Sequence, residues 1–513
     1  VQTNASRRVF LSAVAATALT PGLIPAPAMR SRSLARDPFA VGIASGDPLP
    51  GGIVLWTRLV TDPLVPDGRG GMPSRAYDVD WQLAADEAFK TVVRSGTATA
   101  RPEQAHSVHV EVDGLQPGRE YFYRFRVEGQ VSPTARTRTA PAGLSPLSFA
   151  VAACANYEHG YFTAYQRLAE QEPDLVVHLG DYMYEYQPMG YTAISGAPRE
   201  HAGAKCQTLA DYRVRHAQYK SDPDLQAAHR AAPWLVAFDD HEIENNWANM
   251  VSSTDAPDFA QRRAYGFQAY YENMPLRRGS IPHGDTIRIN RRIAWGTLAQ
   301  FHLLDTRQFR DDQACDDGDR AGCDERLRPT RTILGAGQHR WLLDGLTQSR
   351  ARWNLIGQQV IMAQRDFKAG PGKELNMDSW DGYAAERRAL LNGIRATGAA
   401  NPVVLTGDAH MHNAADLKPD FDDPSSPQVA VELVTSSISS DGDGYRDAAR
   451  VATLRRENPH LAYIDQRRGF IMVRVTQDDL KAEFRTLDYV TRRGAKDKPS
   501  ATFTIPNGHS SLA

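Results

Sequence analysis

The sequence lacks most of the features that assign a protein quickly. It has four cysteines in 513 residues, too few for a disulfide scaffold. Its formal net charge is −2, which leaves no footprint of a nucleic-acid partner, so no stable nucleic-acid complex is expected. Beyond the N-terminus no apolar run is long enough to span a bilayer, so no transmembrane segment is expected and the mature chain should be soluble. There are no internal repeats. No Gly-x-Ser-x-Gly elbow surrounds the serines of the Ser436–Ser440 turn, which argues against a serine nucleophile.

What is present starts with an address label. Ser6-Arg7-Arg8-Val9-Phe10-Leu11 precedes a weakly apolar Ala-rich segment, and Ala26-Pro27-Ala28 fits a small-residue cleavage site. The paired arginines resemble a twin-arginine export signal over residues 1–28. Engagement of that export machinery and a periplasmic or extracellular location are therefore expected. The length calls for two domains, with room for a third. Cys315 and Cys323 flank an acidic, Gly-containing loop and could close a local bridge in an oxidising compartment; Cys206 has no evident role.

From Asp37 to about Ala140 the pattern is all β. Ile53–Trp56 is one strand, and Tyr77, Val79, Trp81 and Leu83 alternate along another. Val108, Val110 and Val112, then Tyr121, Tyr123, Phe125 and Val127, do the same. An immunoglobulin/fibronectin III-like sandwich is expected over residues 37–140, with no catalytic constellation in it. Pro141–Pro146 reads as a linker, and residues 147–500 change to an α/β pattern. Apolar strands end at Cys154, Gly180, Phe238, Leu304, Gly357 and Gly407, with a helical stretch from Leu209 to about Arg230 between two of them. A layered α/β sandwich is the natural architecture.

Four of these strands end in potential metal ligands: Cys154, then Asp181, then Asp240 with His241, then Asp408 with His410. One polar residue at a strand end is ordinarily a cap or a turn residue; four, mixing thiolate, carboxylate and imidazole, are hard to explain that way. Cys154, Tyr184 and His410 with Asp181 make an S/O/N set suited to a transition metal, and thiolate with phenolate favours ferric iron. Asp240 and Asp408, sharing Asp181, make an oxygen-rich neighbour for Ca²⁺, Mn²⁺ or Mg²⁺. A carboxylate bridging two metals defines a hydrolytic centre.

These residues carry a resemblance. Gly180-Asp181-x-x-Tyr184 is similar to a motif of purple acid phosphatases, within the calcineurin-like metallophosphoesterases. The chain departs from that pattern at Cys154, at Asp239–Glu242 and at Gly407–His410, as PhoD-type alkaline phosphatases do. Asn245–Ala248, Leu304–Gln308, Asp378–Tyr383 and Ser436–Ser440 resemble that family too. The resemblance implies an N-terminal Ig/fibronectin III-like domain followed by a four-layer αββα sandwich. It implies a secreted, monomeric alkaline phosphatase acting on mono- or diesters by attack of a metal-held hydroxide at an Fe³⁺/Ca²⁺ centre, Mn²⁺ or another divalent ion being the substitute. Position by position, Cys154, Asp181, Tyr184 and His410 are the implied iron ligands, and Asp181, Asp240, Asn246 and Asp408 the calcium side. His241 is expected to contact the phosphoryl group or protonate the leaving oxygen. Arg307 is the first candidate for a phosphate clamp, with Arg213 and Arg310 behind it. His412 and Asp416 are candidate supports for His410. Phospholipids and nucleotides belong among the conceivable esters, and phospholipase D-type cleavage is the alternative reaction; a non-enzymatic surface-binding protein is the remaining reading.

Overall fold

In the computed structural model, which describes residues 34 and 36–512, the apolar runs become strands of two sheets packed face to face. The leader expected over residues 1–28 lies outside the described residues. One sheet has nine strands. Their order is Asp497–Pro506, Asp479–Leu487, Arg468–Val475, Leu147–Ala152, Leu175–Leu179, Trp234–Ala237, Ile43–Leu49, Gly52–Arg58 and Ser107–Asp113. The other has seven, in the order Arg291–Trp295, Ala299–Leu303, Trp353–Gly357, Pro402–Thr406, Ala430–Val434, His412–Leu417 and Leu461–Asp465. The central strands of both run parallel, so their carboxyl ends point the same way.

Side-chain alternation builds the layers. Leu175, Val177 and Leu179 face inward and meet Phe301, Leu303, Trp353, Leu355, Val403 and Leu405 between the sheets. Val176 points the other way, into a core shared with helices Thr163–Ala169, Leu209–Lys220, Pro223–Ala231 and Phe259–Asn273. Helices Gly335–Gln348, Ala384–Thr397 and Ala448–Glu457 cover the outer face of the second sheet. The result is the expected four-layer α/β/β/α sandwich.

The N-terminal β region is built from strands Tyr77–Ala84, Val92–Ala100, Glu120–Val127, Gln130–Val131 and Ala135–Arg138, which close a core with Ile43, Ile53, Leu55, Val108, Val110 and Val112. Those last residues belong to the nine-stranded sheet. Gly46 pairs with Trp234, so one face of the N-terminal sandwich is an extension of the larger sheet. Gly46 is needed there because a Cβ would lie 2.4 Å from the Pro275 carbonyl oxygen. Buried Arg58 ties the region further, donating to the carbonyls of Ala105, Arg213 and Gly68 and to Asn273.

The single helix expected from Leu209 to Arg230 is two. Asp222 caps a new helix that begins at Pro223, and proline at the first helical position cannot continue the preceding turn. The strand Val92–Ala100 was not foreseen because most of its side chains are exposed or half-buried and its small polar residues carry no apolar alternation. Cys315 and Cys323 form the disulfide.

Behind the strand Leu175–Leu179 lies a buried basic cluster. Tyr165 Oη is 2.8 Å from His178 Nε2, Tyr182 Oη is 2.8 Å from His229 Nε2, and Lys220 Nζ lies 3.4 Å from the same His229 nitrogen. Burial, then the charge of Lys220, pushes His178 down to about 3 and His229 well below its usual value. Burial and Arg58 lower Lys220 itself. His178 is thus a core histidine, as its place inside the strand predicts. An imidazole held below its unfolded value near 6.5 is protonated only in the unfolded chain between the two values, so the unfolded state binds more protons and stability falls as pH falls. The same sign applies to Lys220 below 10.5. The denaturant midpoint, measured at fixed metal concentration, is expected to fall as pH is lowered from about 6.5 towards 3. Lys220→Met should raise stability at neutral pH and flatten its rise towards alkaline pH.

Candidate active site

The carboxyl ends of the strands converge as their spacing predicts. Cys154 lies two residues beyond the strand Leu147–Ala152, and its N–H donates to the Gly180 carbonyl at 3.1 Å. Gly180 has φ +113, and a Cβ there would stand 2.6 Å from the backbone nitrogen of Asp239. Glu242 then joins two strand ends. Its carboxylate accepts from the N–H groups of Asp181, Tyr182 and Asp239 at 3.2, 2.6 and 3.0 Å. Burial pushes Glu242 up to about 7 even though these donors favour its charge.

Two donor clusters result. Atoms of Cys154, Asp181 and His410 lie within 4.8 Å of one another, as do atoms of Asp181, Asp240 and His241. Asp181 belongs to both. Tyr184 Oη is 3.1 Å from Asp181 Oδ2 and 3.1 Å from His410 Nε2, and accepts from Ser440 Oγ at 2.7 Å. Cys154, Asp181, Tyr184 and Asp240 are buried, whereas Asn246, Asp408 and His410 are half-buried at the mouth. Cys154, Asp181, Asn246, Asp408 and His410 all have left-handed φ, between 49° and 59°. Such backbone costs about 1–3 kcal/mol per residue and persists where surrounding structure imposes it.

The electrostatics call for cations. Burial drives the carboxyl of Asp181 well above the usual range, Asp240 and Asp239 adding to the rise and His241 opposing it. Burial, Asp378 and Asp240 raise Asp408, and burial with Asp181 and Asp408 raises the Cys154 thiol. Asp239 Oδ2 is buried without a partner among the described residues. Carboxylates packed this closely in the interior ionise together only against positive charge. The thiol, phenol, imidazole and shared carboxylate fit a transition metal, and the oxygen-rich side fits a harder cation.

Several supporting residues were not legible in the sequence. His410 Nδ1 is held by Asp441 Oδ2 at 2.8 Å, not by His412 or Asp416. His412 Nδ1 instead accepts from Ser436 N–H, and Asp416 binds Gln428 and the Leu512 N–H. His241 Nδ1 lies 2.9 Å from Glu185 Oε2, and its ring stacks on Tyr184 with centroids 4.0 Å apart. Burial works against a charge on His241, yet Asp240, Asp181 and Glu185 hold it well above the usual imidazole value. Asn246 donates its N–H to Asp240 at 2.7 Å and its side-chain N–H to Asp317, inside the disulfide loop, at 2.6 Å.

The arginines differ most from expectation. Arg307 is buried, donating to Asp239 at 2.6 Å and bidentately to Asp378 at 2.8 Å. Its fork is spent on carboxylates, so it supports the acidic cluster from beneath and has no free edge for the expected clamp. Arg310 binds Asp378 as well. Arg213 binds Glu272 on a neighbouring helix and the Glu103 carbonyl, and does not line the cavity.

The folded layers and the shared carboxylate define a metallophosphoesterase-type sandwich with a candidate metal centre at its carboxyl edge. The match is borne out by comparison. The model of PhoD-like phosphatases matches residues 149–484, and that of their N-terminal domain matches residues 25–141; the chain belongs to the PhoD-like phosphatase family. It is 45% identical over 480 residues to alkaline phosphatase D of Bacillus subtilis (strain 168), covering 93% of this chain and 82% of that protein. A solved structure of PhoD superposes with a TM-score of 0.91 at 45% identity, over 94% of this chain and 92% of the other. A purple acid phosphatase from yellow lupin shares the fold at 12% identity, with a TM-score of 0.53 over 91% and 73% of the two chains. The chain is accordingly a phosphoric ester hydrolase.

Asp441→Asn should weaken metal retention about 10–100-fold by releasing the His410 imidazole. Chelator competition followed by metal analysis checks this, and Asp416→Asn should have no such effect. Gly180→Ala should lower stability by about 1–3 kcal/mol or more through its φ alone, read by denaturant titration.

Proposed function

We propose that this phosphatase is exported and hydrolyses phosphate mono- or diesters at alkaline pH on a dinuclear Fe³⁺/Ca²⁺ centre. The observation that carries the reading is Asp181, whose carboxylate is shared by both donor clusters. Cys154, Tyr184, His410 and Asp181 would hold the iron, and Asp181, Asp240, Asn246 and Asp408 the calcium. When bound, such ions supply Lewis acidity, neutralising charge on phosphoryl oxygens and acidifying water.

The chain's own residues would do the rest. Glu185 orients His241 by its Nδ1 contact, leaving Nε2 free to contact a phosphoryl oxygen or to give a proton to the leaving oxygen. Cations between Asp181 and Asp240 would weaken the pull of those carboxylates on His241, while the Glu185 contact would remain. Arg307, held by Asp239 and Asp378, keeps its guanidinium 3.7 Å from Asp240 and so offsets the local negative charge. Asp441 fixes the His410 tautomer that presents Nε2 to the centre.

Support for export comes from the arginine pair at Arg7-Arg8. Separately, no helix among the described residues is long and apolar enough to cross a membrane. Phospholipase D-type cleavage is the second reading, favoured by Ile194, which is 83% exposed and lines the cavity over the site. Metal analysis and assays with p-nitrophenyl phosphate, bis-p-nitrophenyl phosphate and phosphatidylcholine test the set. Bound iron with hydrolysis of at least one ester is expected; no metal and no hydrolysis would reject the reading. Tyr184→Phe should abolish a visible charge-transfer band, and a band that survives would remove iron from the phenolate.

A further inference from the structure

A cavity of about 520 Å³ opens over the half-buried ligands Asn246, Asp408 and His410. Apart from Asp408, its acidic lining is already engaged. Asp378 binds Arg307 and Arg310, Asp441 binds His410, and Asp447 caps its own helix at Arg450 N–H. The guanidinium groups of its two arginines, Arg365 and Arg450, are not. Arg365 is only 8% exposed, yet among the described residues no nitrogen of its guanidinium makes a hydrogen bond, and Nε and Nη1 are buried without a partner there.

That vacancy in bonding does not come from a loose segment. The backbone around Arg365 is pinned on both sides. Met362 and Ala363 N–H donate to Glu432 at 2.8 Å, Arg365 N–H to Asp381 at 2.9 Å, Asp366 N–H to Asn458 at 2.8 Å and Lys368 N–H to Asp366 at 2.9 Å. The guanidinium is steadied by the Phe367 ring, with its carbon 4.9 Å from the centroid. Arg450 approaches the same ring at 4.7 Å and also lines the cavity. Two like charges therefore meet on one ring at the edge of the metal ligands. A buried guanidinium with unmet donors costs free energy unless an acceptor arrives, and its planar fork suits two oxygens of one phosphoryl group.

We propose that Arg365 is the substrate-binding arginine of this site, donating to non-bridging oxygens of the phosphate ester, with Arg450 supplying a second positive charge at the mouth. It takes the clamp role for which Arg307 has no free donors. The inference rests on the phosphate-ester reading above and adds to it the residue that holds the phosphoryl group. Burial lowers the pKa of the Arg365 guanidinium and Arg450 adds to the fall, while Asp408 opposes it; the group stays charged and is left to be offset by an anion.

The test uses the full, metal-loaded chain, with p-nitrophenyl phosphate as substrate and inorganic phosphate as competing ligand. Arg365→Ala is expected to lower kcat/KM and to raise the inhibition constant of phosphate by about 10–100-fold. Metal content and any Tyr184 absorption band should stay as in the parent. Arg365→Gln, which keeps the stem against Phe367, should reproduce the loss, and added guanidinium ion should restore part of it in Arg365→Ala. Arg450→Ala should give a smaller change in the same direction. An unchanged phosphate inhibition constant in either Arg365 variant, at parental metal content, would overturn the proposal. Failure of the parent itself to hydrolyse any ester would instead reject the function proposed for the site.

Discussion

Everything at the carboxyl edge of the two sheets depends on keeping one carboxylate, that of Asp181, buried among others. Coulomb repulsion and lost hydration both oppose such an arrangement. It is tolerated because the surrounding groups leave it little freedom to relax. The Glu242 carboxylate ties the strand end at Asp181 to the one at Asp239 by accepting from three backbone N–H groups. Arg307 and Arg310 place fixed positive charge beneath. Five residues of the constellation accept left-handed backbone to aim their side chains inward. The free energy for this strain comes from the packed sheets on either side, whose parallel strands carry almost no polar group into the inter-sheet core.

The supporting shell divides the site into a deep and a shallow half. Cys154, Asp181, Tyr184 and Asp240 are enclosed, and the groups that support Tyr184 and Asp240, Ser440 and Arg307, are themselves buried. Asn246, Asp408 and His410 face the cavity. Their supports reach out to less regular segments, Asp317 in the disulfide loop and Asp441 in the turn after Ser440. Tyr191, from the long loop at residues 189–205, also donates to Asp441. That loop is thus linked through one carboxylate to a candidate metal ligand. Its remaining exposed side chains, such as Ile194, are free to meet the substituent of an ester.

The N-terminal sandwich contributes no side chain to this constellation. Its sheet continues into the catalytic one at Gly46 and Trp234, and Trp56 Nε1 donates to the Glu272 carbonyl at 3.0 Å. An edge strand of the large sheet that would otherwise expose unpaired backbone groups is thereby covered. The module acts as a structural extension of the catalytic sheet, which agrees with the lack of chemistry-bearing residues in its sequence.

The sequence by itself determined the layered class, the strand ends and the chemical types gathered there. Buried parallel strands read as apolar runs, and ligands follow them at once, so Cys154, Asp181, Asp240, Asp408 and His410 were legible from local pattern. Tertiary structure alone decided which partner each polar group finds. Asp441 lies 31 residues from His410, Glu185 56 from His241, and Asp378 71 from Arg307; no local period relates them. The same holds for the arginines. Arg307 and Arg365 look alike as residues in a chain, and only folding sets one against two carboxylates and leaves the other unpaired beside the cavity. Hydrogen bonding and charge pairing are contacts between distant segments, so they are fixed by how the sheets stack rather than by what stands next in the sequence.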